Sequence, residues 1–148
     1  MVDSVSFRKS NAFNGALHHC GDNQVGNSST DKDAEVIRIE LARIPSNVRS
    51  HAISITAFRG LPFTAVRKAL KITDFSDNYE ILYLDLSAKE NKTALFFALL
   101  YCGDDGKWKL IPTTKYFDTK TPEQSFGFTR SWMLQDNFIE KMHVYLAK

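Results

Sequence analysis

Gly21-Asp22-Asn23-Gln24-Val25-Gly26-Asn27-Ser28-Ser29-Thr30-Asp31-Lys32-Asp33-Ala34-Glu35 is polar, punctuated by Gly21 and Gly26, and rich in oxygen donors. The runs on either side, residues 15–20 and 36–41, read as strands, so this stretch joins one strand to the next. Asp22, Asp31, Asp33 and Glu35 set four carboxylates against a single cation, Lys32. Two readings stay open on composition alone. The stretch holds a hard cation, because Ca²⁺ takes about six to eight oxygens from carboxylates, amides, backbone carbonyls and water. Or it is an ordinary solvated connection, as most polar loops are. Ser28, Ser29 and Thr30 can bond their own backbone and help fold it in either case. An EF-hand is excluded: counted from Asp31, the position that must be glycine is Val36.

Working outward, period-two alternation dominates. Residues 5–7 suit a short strand, and Asn14-Gly15 marks a hairpin turn before residues 16–20. Beyond the acidic stretch, Ile37, Ile39 and Leu41 form the apolar face of a strand, with Arg38 and Glu40 between them. Pro45 breaks the chain. Residues 52–58 alternate again, and Gly60 and Pro62 mark a turn. Residues 79–86 read as a strand. Residues 93–102 are almost continuously apolar, which predicts a central strand buried on both faces. Asp104-Asp105-Gly106 is a tight hairpin turn into residues 107–112, and that role explains its acidic pair better than a second metal site does.

An ordered series of these segments carries a resemblance. Gly21-Asp22-Asn23, then Gly26, then Asp33-Ala34-Glu35 leading into Val36-Ile37-Arg38-Ile39, resembles the TerD-type tellurite-resistance and stress-protein family. Ile44-Pro45-Ser46-Asn47-Val48 is similar to that family's Ile-Pro-x-x-Val turn. Residues 52–59, 63–74, 79–86 and 93–101 match further segments in order, and Lys107-Trp108-Lys109-Leu110 resembles its Trp-Lys-Phe strand. The likeness covers about residues 3–114. It implies a mainly β protein, an antiparallel β-sandwich with short helical turns, that binds calcium and is not known for catalysis. On that implication Asp22, Asp31, Asp33 and Glu35 supply charge. Asn23 adds a side-chain or backbone oxygen, and Gly26 a backbone carbonyl.

The departures are specific. Ala34 stands where the family often has Asp, the acidic run is two residues longer, and no glycine lies between Gly26 and Glu35. The family opens with a strand pair bearing an Asp-x-Asp element that helps ligate metal, and this chain is expected to lack it. The ligand set is then smaller, weaker, or completed by another chain. The family also includes proteins named for binding cyclic AMP, but no residue here places a nucleotide.

Residues 63–74 read as a short helical turn followed by a strand. Residues 116–128 read as irregular. Leu134, Phe138 and Met142 lie at helical spacing, with Ser131 as N-cap, so residues 131–147 are expected to form a C-terminal helix. That helix either packs on its own sandwich or docks on a second subunit.

At 148 residues, 43% hydrophobic and 24% charged, the chain is expected to be one soluble domain, residues 1–148. A net charge of +2 without basic clustering argues against nucleic-acid binding. The start is too polar for a secretory signal, and no apolar run approaches membrane-spanning length, so a cytoplasmic location without membrane contact is expected. Cys20 and Cys102 lack Cys-x-x-Cys spacing and read as buried, inert thiols in a reduced compartment. Zinc would need His18 or Cys20 to gather further ligands such as His51 or Cys102. No nucleophile elbow, phosphate-cradling glycine loop or His-Glu-x-x-His motif occurs, and a Cys–His pair has no local signature to support it. Close carboxylates repel one another and favour a cation over general-acid work. The sequence therefore points to a non-enzymatic calcium-binding stress protein; the alternative is a metal-free interaction module, with a homodimer through its C-terminal segment as one form of it.

Overall fold

The structure, a computed structural model, describes residues 3–6, 8–20, 36–57, 62, 69–85 and 91–134. Among the described residues it is mainly antiparallel β with one α-helix, and the chain divides into two compact units. The first comprises residues 1–50 and 102–108, the second residues 51–101 and 109–148.

The first unit carries a three-stranded sheet, β1 (Asn11–Ala12), β2 (Leu17–His19) and β3 (Ile37–Ile39), in the order β1-β2-β3. Phe13, Asn14 and Gly15 make the β1–β2 turn with φ of 52°, 53° and 82°. Asn and Gly tolerate that left-handed region, which is why Asn14-Gly15 was legible as a turn, whereas Phe13 is strained there. Arg43 holds the turn by donating to the Asn14 carbonyl at 2.7 Å. β3 ends in a short 3₁₀ turn, Leu41–Arg43, so Leu41 leaves the strand it was expected to continue. Ile37 is 45% exposed, so the expected apolar face of β3 is only partly covered.

The second unit holds most of the core. Its main sheet has the order β4 (Ser50–Thr56), β7 (Ala94–Cys102), β8 (Trp108–Phe117). β5 (Ala69–Asp74) and β6 (Tyr79–Asp85) form an antiparallel hairpin. The hairpin lays Leu70, Ile72, Leu82 and Leu84 against Leu95, Phe97 and Ala98 of β7, with Ile53 and Ile55 of β4 in the same cluster. This is the sandwich. The other face of β7 presents Ala94, Phe96, Leu99 and Tyr101, joined by Ile111 and Phe117 of β8 and covered by Trp132 and Met133 of the helix α1 (Pro122–Leu134). β7 is thus central and buried on both sides, as its unbroken apolar run predicts. Each large side chain so buried stabilises the fold by about 1.5–3 kcal/mol.

The alternation along β7 slips once: Phe97 and Ala98 both belong to the hairpin side. Pairing agrees. The Cys102 N–H bonds the Arg49 carbonyl and the Ala57 N–H bonds the Thr93 carbonyl, so nine steps on β7 oppose eight on β4. One extra residue on a strand is a β-bulge. β8 is an outer strand of this sheet, which is where Pro112 can be accommodated without losing a ladder bond.

Two expectations are corrected. Residues 116–128 are not irregular: Tyr116 and Phe117 complete β8, and α1 begins at Pro122. Ser131 lies inside α1 rather than capping it. The start is set instead by Thr121, whose Oγ1 accepts the Gln124 N–H at 3.3 Å, and by Gln124 Oε1, which accepts the Lys120 N–H at 2.8 Å. Pro122 occupies the first helical position, where its missing N–H costs nothing. Within α1, Ser125, Thr129, Trp132 and Met133 share the buried face at helical spacing. The remainder of the expected helix, residues 135–147, lies outside the described residues, as do residues 63–68, expected as a helical turn.

Candidate metal site

The hairpin β2–β3 presents the acidic connection. Its register pairs Leu17 with Ile39, His18 with Arg38 and His19 with Ile37. One step further, the Cys20 N–H donates to the Val36 carbonyl at 2.8 Å, and at the opposite end the Glu40 N–H donates to the Ala16 carbonyl at 2.7 Å. The base of the connection is therefore closed by a backbone hydrogen bond, and the two strands expected on either side are both present. Asp22, Asn23, Gly26, Asp31, Asp33 and Glu35 themselves lie outside the described residues. The donor set they offer is hard oxygen throughout, which fits Ca²⁺ and not a thiophilic metal.

Among the described residues no three His, Cys, Asp or Glu side chains gather to hold a metal. His18 instead shares a 2.6 Å hydrogen bond with Asn11 Oδ1, and the facing alternation leaves His19 buried. Cys20 is exposed, not buried as expected, and Cys102 is half-buried with its thiol toward the Gly103 carbonyl at 3.7 Å; both are free thiols. Asp3 pairs with Lys9, whose hydrogen bond, with that of the Ser4 N–H, holds its carboxyl below the usual carboxylate range.

The second acidic pair is consumed by its turn. Asp105 Oδ1 accepts the Lys107 N–H at 3.0 Å, and Gly106 has φ +73° and donates to the Gly103 carbonyl. Arg49 reaches across to this turn, donating to the Cys102 and Gly103 carbonyls at 2.9 and 3.0 Å and to Asp104 Oδ1 at 3.3 Å. Sequence reasoning missed Arg49, because nothing local in Val48-Arg49-Ser50 announces a partner more than fifty residues away.

The described residues thus define an antiparallel β protein whose β2–β3 hairpin is joined by an acidic segment. Residues 2–121 match the TerD domain, and the chain belongs to that family. It is 32% identical over 107 residues to Tellurium resistance protein TerZ of Serratia marcescens, covering 72% of this chain and 54% of that protein. It is 29% identical over 114 residues to Chemical-damaging agent resistance protein B of Clostridium acetobutylicum, covering 73% of this chain and 80% of that one. The chain therefore spans about half the length of the TerZ protein it matches. A crystal structure of the protein of unknown function SAV2460 has the same fold, with a TM-score of 0.65 at 17% identity over 77% of this chain and 67% of that one.

Proposed function

We propose that this chain is a cytoplasmic, non-catalytic stress-resistance protein of the TerD type that binds Ca²⁺ through residues 21–35. Asp22, Asp31, Asp33 and Glu35 supply the charge, with Asn23 and Gly26 completing the oxygen set. The observation that supports this most directly is the Cys20–Val36 hydrogen bond, which joins the two residues that flank the acidic segment. Membership in a family whose relatives are named for tellurium and chemical-damage resistance supports the stress role. The ion neutralises carboxylates that otherwise repel one another, and binding then favours the folded chain. Calorimetric titration with CaCl₂ tests it. Heat of binding is expected from the wild type and its loss from the Asp22→Ala, Glu35→Ala double variant; a wild type that takes up no Ca²⁺ removes the metal while leaving the family assignment intact.

A second reading, a metal-free interaction module acting through the C-terminal segment, draws on Leu134, which is 73% exposed at the last described position of α1. Removing residues 135–148 spares Trp132 and Met133, which the core needs. Sedimentation that is unchanged by this truncation eliminates that reading.

A further inference from the structure

Exposed large apolar side chains cluster on one element. Phe75, Tyr79, Ile81 and Tyr83 are 73%, 67%, 50% and 54% exposed, and all lie on the β5–β6 hairpin or its turn. Single exposed apolar residues are ordinary, but four on one element are the kind of surface that interaction sites use. The register explains Tyr83 and Ile81, while Tyr79, paired with Asp74 in phase with Leu82, is exposed at the turn end of the hairpin. Leu70, Ile72, Leu82 and Leu84 are committed to the core, so Tyr83, paired with Lys71, stands on the outer face. Between Ile72 and Thr73 the pairing slips from Leu82 to Glu80, and the extra residue is Ile81.

The charge of the same hairpin is one-sided. Residues 69–85 carry Asp74, Asp77, Glu80 and Asp85 against Lys71 alone, all five exposed, in a chain whose total is +2. Asp74 is fixed by the Ser76 N–H and hydroxyl at 2.9 and 2.7 Å, and Asp77 by the Tyr79 N–H at 2.9 Å. Those bonds fix both carboxylates at the turn that also carries Phe75.

We propose that the outer face and turn of the β5–β6 hairpin form a docking surface for a basic, partly aliphatic segment of a partner protein. Tyrosine and phenylalanine faces attract Lys and Arg side chains and serve as interface anchors, while the flanking carboxylates steer cations in. Nucleic acid and other polyanions are repelled by the same charges. A second copy docking face to face would oppose like charges, so an isologous dimer through this surface is disfavoured. The inference concerns the second unit alone and stands whether or not residues 21–35 bind Ca²⁺.

The probe is a fluorescent synthetic peptide of alternating Lys and Leu, with a Glu–Leu peptide of the same length as control, followed by anisotropy with the full chain at low salt. The Lys–Leu peptide is expected to bind and the Glu–Leu peptide not. Tyr79→Ser with Tyr83→Ser, and separately Asp77→Lys with Glu80→Lys, are each expected to weaken binding by about tenfold or more. All four side chains are exposed, so Tyr79→Ser with Tyr83→Ser should melt as the wild type does, whereas Asp77→Lys also gives up the bond from the Tyr79 N–H, and a fall of a few degrees there is compatible with a folded chain. Failure of the wild type to bind the Lys–Leu peptide, equal binding of both peptides, or unchanged affinity in both double variants overturns the proposal. So does a wild-type dimer in sedimentation that Tyr83→Ser dissociates, which would give the face to a second copy.

Discussion

Ser125 is fully buried, and its hydroxyl lies 2.6 Å from that of Thr56 and 2.8 Å from that of Thr119. A hydroxyl has one proton to give and lone pairs to receive, so the three form a chain linking β4, the segment after β8 and α1. Thr93 extends it, donating to the Thr119 carbonyl and accepting the Thr119 N–H. Ser125→Ala removes the middle link and leaves two hydroxyls short of a partner. A loss of about 1–3 kcal/mol in urea unfolding is expected, and an unchanged midpoint would show that the network contributes nothing. His51 offers a pH-dependent counterpart. Its burial pushes the imidazole below the ordinary value of 6.5, because the charged form is poorly solvated there. Below that value the unfolded chain binds more protons than the folded one, so stability rises with pH and is lost as pH falls from 6.5 through the lowered folded value. Melting temperatures measured from neutrality down to about pH 5 should fall more steeply in the wild type than in His51→Gln.

Among the elements, α1 is the one whose boundaries sequence reasoning misplaced furthest. The apolar spacing of Leu134, Phe138 and Met142 drew the helix toward the C-terminus, while the buried face of α1 is built partly from Ser125 and Thr129, which carry no hydrophobic signal. The start was nonetheless legible in Thr121-Pro122-Glu123-Gln124, a hydroxyl, a proline and a glutamine at capping-box spacing. Thr121→Ala combined with Gln124→Ala should lower stability by about 0.5–2 kcal/mol, seen as a drop in thermal midpoint, and leave the sheet signal in circular dichroism intact. The strands were more transparent. Asn14, Gly15 and Gly106 take positive φ where hairpins turn, so the turns between β1 and β2 and between β7 and β8 could be read from the Asn-Gly and Asp-Gly dipeptides. β5 and β6 were legible as strands, but a period of two does not say which face is buried.

At the scale of the whole molecule, the functional expectation turns on coupling between ion and fold. A ligand bound only by the folded chain stabilises it by mass action, about 2.7 kcal/mol at one hundred times its dissociation constant. Ca²⁺ at saturation is therefore expected to raise the melting temperature of the wild type and to leave that of the Asp22→Ala, Glu35→Ala variant where it was. Equal shifts in both would assign the effect to other oxygens. The candidate ligands were chosen by composition and resemblance, and the hairpin that closes at Cys20 and Val36 was implied by alternation on either side of them.

The sequence by itself determined the kinds of element, the hairpin turns, the doubly buried strand at residues 94–102 and the family, because each of these is written in local periodicity, turn chemistry or ordered motifs. Only the tertiary structure decided that Leu70, Ile72, Leu82 and Leu84 face the core while Tyr83 faces outward, that β7 carries an extra residue, and that Arg49 and Ser125 tie together segments remote along the chain. These depend on which surfaces meet. A side chain's partner across fifty residues leaves no trace in its neighbours, and burial of one strand face rather than the other follows from packing, not from the pattern itself.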